Sequence, residues 1–260
     1  MGLVYAPRGL LGVLTPQANT TVEPELQLLC PPGLSLLTSR MCSPAGDLRS
    51  RLIDYYKDLR PWTQAFANAP LGALASACTG SSYLIGAQAE DQMFSELAAC
   101  NGYPATNSAL AAVAALQALQ ARRIALVSPY PDWLTEHSRA YWHSRGLRVQ
   151  EVVQLASDAD AFHPIYALQA QAAERGIAAI DRADIDAVLL LGTGTPTLPA
   201  LARRVRTRRG QPIVSCNLAL LWHALECMHG HAQSPRASAL LGLMQDRRWR
   251  RALRRLLGGG

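Results

Sequence analysis

Lysine is all but missing from these 260 residues: Lys57 stands alone, within the helical pattern Ile53-Asp54-Tyr55-Tyr56-Lys57-Asp58-Leu59. A pyridoxal Schiff base would have to depend on it and is set aside. Also missing is any apolar run near the ~18 residues a membrane span requires. The first twelve residues include Pro7 and Arg8 and hold no signal-like hydrophobic region. No membrane partner is expected, and a cytoplasmic location is the default. There is no HExxH, no P-loop and no GxSxG elbow, and Gly192-Thr193-Gly194-Thr195-Pro196-Thr197 lacks the last glycine of a dinucleotide fingerprint. The six cysteines (Cys30, Cys42, Cys78, Cys100, Cys216 and Cys227) form no CxxC pair. In a chain large enough to fold without staples they read as reduced thiols.

What is present is apolar. Hydrophobic residues make up 49% and charged residues 17%, which excludes a disordered chain and leaves material for a large core. The net charge of +6 collects in Arg203 to Arg209 and Arg247 to Arg255. Trp249, Ala252, Leu253, Leu256 and Leu257 follow helical spacing, so the last arginines read as the wet face of a docking helix, and no nucleic-acid partner is expected. Cys227-Met228-His229-Gly230-His231 reads as a helix end and loop, and no metal site is expected.

Short apolar runs at 10–15, 34–38, 71–77, 124–128, 149–153, 187–191 and 213–215 read as strands. Helical patterns lie between and beyond them at 47–67, 82–100, 108–120, 132–145, 163–175, 198–208 and 218–229. Such alternation implies an α/β fold with parallel sheets and helices on both faces. The pattern also repeats. Thr15-Pro16 ends one strand and Ser128-Pro129 another, 113 residues later, while Cys78 and Gly192 follow two further strands 114 residues apart. Two copies of one unit follow, at 1–117 and 118–235, with a helical extension at 236–260, part of which is expected to pack on the first half. In open parallel sheets ligands bind beyond the carboxyl ends of strands, so the site is expected in a cleft between the halves.

Cys78 precedes Thr79-Gly80-Ser81-Ser82, a polar turn opening a helix. Unpaired amides there form an anion nest whose field should lower the thiol pKa, making Cys78 a nucleophile or proton carrier; a buried structural cysteine is the competing reading. The turn Gly192-Thr193-Gly194 has matching amide and hydroxyl character. Asn19, Thr20 and Thr21, after the first strand, can bind an oxyanion or cap the next helix, and taken alone capping is simpler. Tyr130, held between Pro129 and Pro131, can reach a carboxylate.

Asn19-Thr20-Thr21-Val22-Glu23-Pro24-Glu25, Cys78-Thr79-Gly80-Ser81, Ser128-Pro129-Tyr130-Pro131-Asp132, and Pro212-Ile213-Val214-Ser215-Cys216-Asn217 leading to Leu221-Trp222 together resemble maleate cis-trans isomerases. These belong to the aspartate/glutamate racemase superfamily, which includes arylmalonate decarboxylase. The resemblance implies two pseudo-symmetric flavodoxin-like halves, cofactor-free chemistry and, in many members, paired cysteines. It makes Cys78 the catalytic cysteine and Asn19, Tyr130 and Thr79 carboxylate ligands. Gly80, Ser81, Gly192, Thr193 and Gly194 complete the two turns, with Thr15, Gln17 and Cys216 at the margin. The second cysteine does not carry over, since Gly192 stands in its place. Nor does a further carboxylate-binding asparagine, since Ala156 to Pro164 offers only Ser157, Asp158, Asp160 and His163.

One thiol disfavours two-base racemization, which needs an acid/base group on each face. The leading expectation is therefore a cofactor-independent isomerase acting on a small dicarboxylate through Cys78, by reversible addition to a double bond. A single-cysteine malonate decarboxylase is the alternative, and a silent carboxylate-binding protein a third reading. A homo-oligomer is left open. Arylmalonate decarboxylases resemble the reverse arrangement, with the cysteine in the second half, so decarboxylation here should protonate the opposite face. Chiral analysis of the product from a prochiral aryl-methylmalonate is expected to show the opposite enantiomer; the same enantiomer would count against that route.

Overall fold

The computed structural model describes residues 3–156 and 163–258. The first half runs β1 (Gly9–Pro16), α1 (Val22–Leu29), β2 (Leu34–Met41), α2 (Leu48–Lys57), α3 (Arg60–Gln64), β3 (Leu71–Ser76), α4 (Thr79–Ile85), α5 (Ala87–Asn101), β4 (Ala105–Asn107) and α6 (Ser108–Ala118). The second runs β5 (Arg123–Ser128), α7 (Asp132–Ser144), β6 (Arg148–Gln154), α8 (Ala170–Ala179), β7 (Ala187–Leu190), α9 (Leu198–Arg203), β8 (Ile213–Ser215) and α10 (Cys216–Met228). Two further helices, α11 (Ala237–Gln245) and α12 (Arg247–Leu256), follow.

Each half forms a four-stranded sheet, ordered β2-β1-β3-β4 and β6-β5-β7-β8, and every pairing within them is parallel. The expected α/β fold of two pseudo-symmetric halves is what the chain adopts. Central strands are largely buried: all of β7 is buried, and Leu11, Val13 and Leu14 of β1 are enclosed. In this order the chain reverses direction across the sheet between β1 and β3, and again between β5 and β7. The crevices that bind ligands in doubly wound sheets open there.

Several elements differ from expectation for local reasons. The helix expected at 47–67 breaks after Lys57, where Asp58 is extended, and restarts with Pro61 in its first turn. The 82–100 helix starts earlier, at Thr79, and is divided by Gly86 at φ +79°. The helix expected at 163–175 begins only at Ala170. Strand β4, three residues long, has no alternation to reveal it. Helix α10 packs on α6, β3 and β4, so this second-half helix backs the first sheet. No helix among the described residues is long and apolar enough to cross a membrane.

The C-terminal arginines do more than face water. Trp249 and Leu253 are buried as expected, whereas Leu256 and Leu257 are exposed. Arg248 donates to Leu29 O (2.8 Å) and Cys30 O (2.6 Å) at the end of α1. Arg250 donates to Ala202 O (2.8 Å) and Met244 O (2.7 Å), at the ends of α9 and α11. Two side chains thus satisfy carbonyls that three helices leave open.

One carboxylate crosses between the halves. Glu25 of α1 is fully buried and accepts from Thr197 N (2.5 Å), Leu198 N (2.8 Å), Thr197 Oγ1 (3.1 Å) and Asn217 Nδ2 (2.8 Å). It caps α9 and holds the start of α10. Burial raises its pKa from 4.5 to about 6, outweighing the donors that pull it down. Because the folded pKa lies above the unfolded one, this stabilisation is full below pH 4.5 and is lost as pH rises through 6, by about 2 kcal/mol. Denaturant unfolding from pH 4 to 7 should show that slope in the native chain and not in Glu25→Gln. Glu25→Ala, which removes the acceptor of four donors, should also lack the slope and should cost about 3 kcal/mol at pH 4, falling by about 2 kcal/mol by pH 7.

Candidate active site

The strand ends singled out in the sequence converge. Cys78 is the N-cap residue of α4, in extended conformation. Its Sγ lies 3.2 Å from Ser81 Oγ and is approached by the Gly80 and Ser81 backbone amides. Ser81 Oγ donates its single proton to Leu52 O at 2.6 Å, so the thiol donates to Ser81. Burial pushes the Cys78 thiol above its ordinary value, with the Ser81 hydroxyl and the two amides pulling back. The expected lowering is therefore corrected: the nest is built, but desolvation of a fully buried sulfur outweighs it.

Hydroxyl and amide groups join the halves around this thiol. Thr193 Oγ1 donates to Ala77 O (2.9 Å), Asn19 Nδ2 to Thr193 Oγ1 (3.3 Å), and Thr21 Oγ1 to Gly194 O (2.9 Å). Thr79 Oγ1 and Tyr130 Oη are 2.6 Å apart. Asn19 also caps α1, its Oδ1 accepting from Thr21 N and Val22 N. One end of the amide caps, and the other reaches the opposite half. In this state the donors satisfy one another.

Cys78, Thr79, Gly80, Tyr130, Gly192, Thr193 and Gly194 enclose a cavity of about 30 Å³, room for one water. Pro16, Leu48, Leu52 and Ile165 give it apolar walls, and His163 with Tyr166 completes it. Sequence reasoning named His163 only as one of the residues in the 156–164 stretch, without a role, and missed Tyr166. Their rings stack with centroids 3.7 Å apart, and Tyr166 packs against Gly194, where a Cβ would fall 2.3 Å from its ring. Larger grooves exist, one of about 450 Å³ between α9 and α12, but no strand ends converge there.

The marginal candidates separate from this group. Gln17 accepts from Ser43 N (2.6 Å) and does not line the cavity. Thr15 Oγ1 is buried without a partner. Cys216 begins α10 behind Gly192; burial pushes its thiol up to about 12, with the Gly192 amide pulling back, and it too does not line the cavity. Ser157, Asp158 and Asp160 lie outside the described residues.

The family model for arylmalonate decarboxylase matches residues 54–241, most of both halves. The chain belongs to the arylmalonate decarboxylase family. Its relatives include the curated maleate isomerase of Pseudomonas putida, 25% identical over 246 residues, covering 89% of this chain and 96% of the relative. Among solved structures, a mutant maleate cis-trans isomerase of Nocardia farcinica with a covalently bound succinylcysteine intermediate has a TM-score of 0.74 at 23% identity, covering 85% of this chain and 93% of that one. An arylmalonate decarboxylase has a TM-score of 0.65 at 24% identity, covering 84% and 92%. These likenesses concern the fold.

Within this family frame the two halves differ at one backbone position. Cys78 sits at φ −144°, but Gly192 sits at φ +83°, where a Cβ would fall 2.6 Å from Pro129 Cγ and 3.0 Å from Thr195 Oγ1. The second half lacks more than a sulfur, because its turn is shaped for glycine. Gly192→Cys and Gly192→Ala should therefore each lower stability by about 2 kcal/mol. Melting curves and thiol titration would check this; a fully stable Gly192→Cys with a second reactive cleft thiol would contradict it.

Proposed function

We propose that the chain is a cofactor-independent isomerase of a small dicarboxylate, maleate-like in shape, working through Cys78. The observation that carries this reading is one thiol, ringed by two amides and a hydroxyl, opening on a cavity shared by hydroxyl donors of both halves. The thiolate adds to one alkene carbon, the electron pair moves into the neighbouring carboxylate as an enediolate, the former double bond rotates, and the thiolate leaves. Gly80 and Ser81 amides stabilise the thiolate, and the Ser81 hydroxyl joins them once its proton turns from Leu52 O to the sulfur. Thr79 and Tyr130 on one side, and Asn19 with Thr193 on the other, redirect donors from each other to the substrate carboxylates. The trapped succinylcysteine of the Nocardia farcinica relative supports a covalent thioether step.

A single-cysteine malonate decarboxylase is the second reading. The apolar walls from Leu48, Leu52 and Ile165 favour it, since carbon dioxide departs most readily into a dry pocket. Either reaction requires the cavity to widen, because one water's volume does not admit a dicarboxylate.

Proton NMR in deuterium oxide with maleate, phenylmalonate and aspartate decides between them. Fumarate formation, abolished in Cys78→Ala and slowed about 100-fold in Tyr130→Phe, is the expected result. Phenylacetate would promote decarboxylation instead, and turnover of none of the three would leave only carboxylate binding.

A further inference from the structure

His163 is the cavity residue that the catalytic reading leaves without a task. Its Nδ1 accepts from Ile165 N at 3.2 Å and from Tyr166 N at 3.4 Å. A ring nitrogen that accepts from backbone amides carries no proton, so in the neutral ring the proton sits on Nε2. Stacking on Tyr166, which is itself seated on Gly194, holds the ring plane. The imidazole is thus a donor of fixed tautomer, positioned like a side-chain amide.

We propose that His163 Nε2–H is a substrate-carboxylate ligand contributed by the second half, and that it selects plain dicarboxylates over amino dicarboxylates. This rests on the dicarboxylate reading of the Cys78 site. No Asp or Glu lines the cavity among the described residues, so no carboxylate there pairs with a substrate ammonium. Burial, with Arg51 adding to it, lowers the His163 pKa to about 4, so the ring stays neutral through the range where carboxylates are ionised. At the neighbouring Tyr166 hydroxyl, burial and the Cys78 and Tyr55 groups raise the pKa, and Arg51 and Arg40 pull it back. The second half therefore answers the Cys78 thiol with a hydrogen-bond donor that neither gives up nor gains a proton at working pH, where a two-base enzyme would need a titrating group.

The test measures binding without turnover. In the full chain carrying Cys78→Ala, calorimetric titrations with maleate, phenylmalonate and aspartate are compared before and after adding His163→Ala or His163→Gln. Maleate affinity should fall about 10- to 100-fold in His163→Ala, the range for a lost hydrogen bond to a charged group, and His163→Gln, which offers an amide donor, should recover most of it. Maleate should bind the parent more tightly than aspartate, with affinity flat from pH 6 to 8. Equal maleate affinity in parent and His163→Ala overturns the proposal, as does His163→Gln no better than His163→Ala in a chain whose melting temperature matches the parent. A titration step between pH 6 and 8 that disappears with His163 overturns the neutral-donor role. If the parent binds neither maleate nor phenylmalonate, the dicarboxylate reading fails, and this proposal with it.

Discussion

The geometry of the cleft depends on a buried carboxylate. Glu25 leaves the first half and ends among donors of the second, meeting two backbone amides and a hydroxyl at the start of α9 and the Asn217 amide in the first turn of α10. Four donors on one side chain fix position and direction together. Asn217 passes the constraint on, because its Nδ2 also donates to Thr193 O at 3.0 Å, in the turn that forms the second-half wall. Thr193 in turn bonds Ala77 O and Asn19. A chain of contacts thus runs from α1 through the second half and back to the residue preceding Cys78. Desolvation is the cost of placing a carboxylate there, and it shows as the raised pKa.

Against that rigid frame, the site is asymmetric. The two sheets share one strand order, and their equivalent turns stand at equivalent strand ends, yet one turn offers a thiol in extended conformation and the other a glycine in left-handed conformation. The space freed on the glycine side is occupied by aromatic rings. Tyr166 fills the volume over Gly194, and His163 stacks on it. Pseudo-symmetry therefore describes the scaffold, while the groups around the cavity differ, a thiol on one half facing a glycine turn and aromatic rings on the other.

Much of this was legible in the sequence. Strand runs with apolar patterning, and the spacing between Pro16 and Pro129, foretold two parallel sheets; Cys78, Thr79, Tyr130 and the Gly192 turn were placed beyond strand ends, where they meet. What was hidden has physical reasons. Strand β4 is too short to show a period. Glu25 reads locally as an acidic residue in the first turn of its own helix, and its partners lie 172 to 192 residues away. The field at the start of α4 was read correctly, but a sequence does not report burial, and burial decides the direction of the Cys78 shift. His163 and Tyr166 precede a helix that starts later than its pattern suggested, so their stacking arises only from the fold.

The guanidinium contacts of α12 carry a consequence for the scarcity of lysine. Arg250 reaches carbonyls of two different helices at once, and Arg248 reaches two successive carbonyls at the end of a third. A planar fork with several N–H donors can span such pairs, where a single ammonium on a flexible stem binds them one geometry at a time. Helix α9 consequently has a carboxylate at its amino end and a guanidinium at its carboxyl end, each opposing the local sign of the helix dipole. Both ends of α9 are thus held from outside it, one by Glu25 and the other by the C-terminal helix. A frameshift or premature stop near residue 245 would leave the closing carbonyls of α1 and α9 without these guanidinium partners, far along the chain from the lesion.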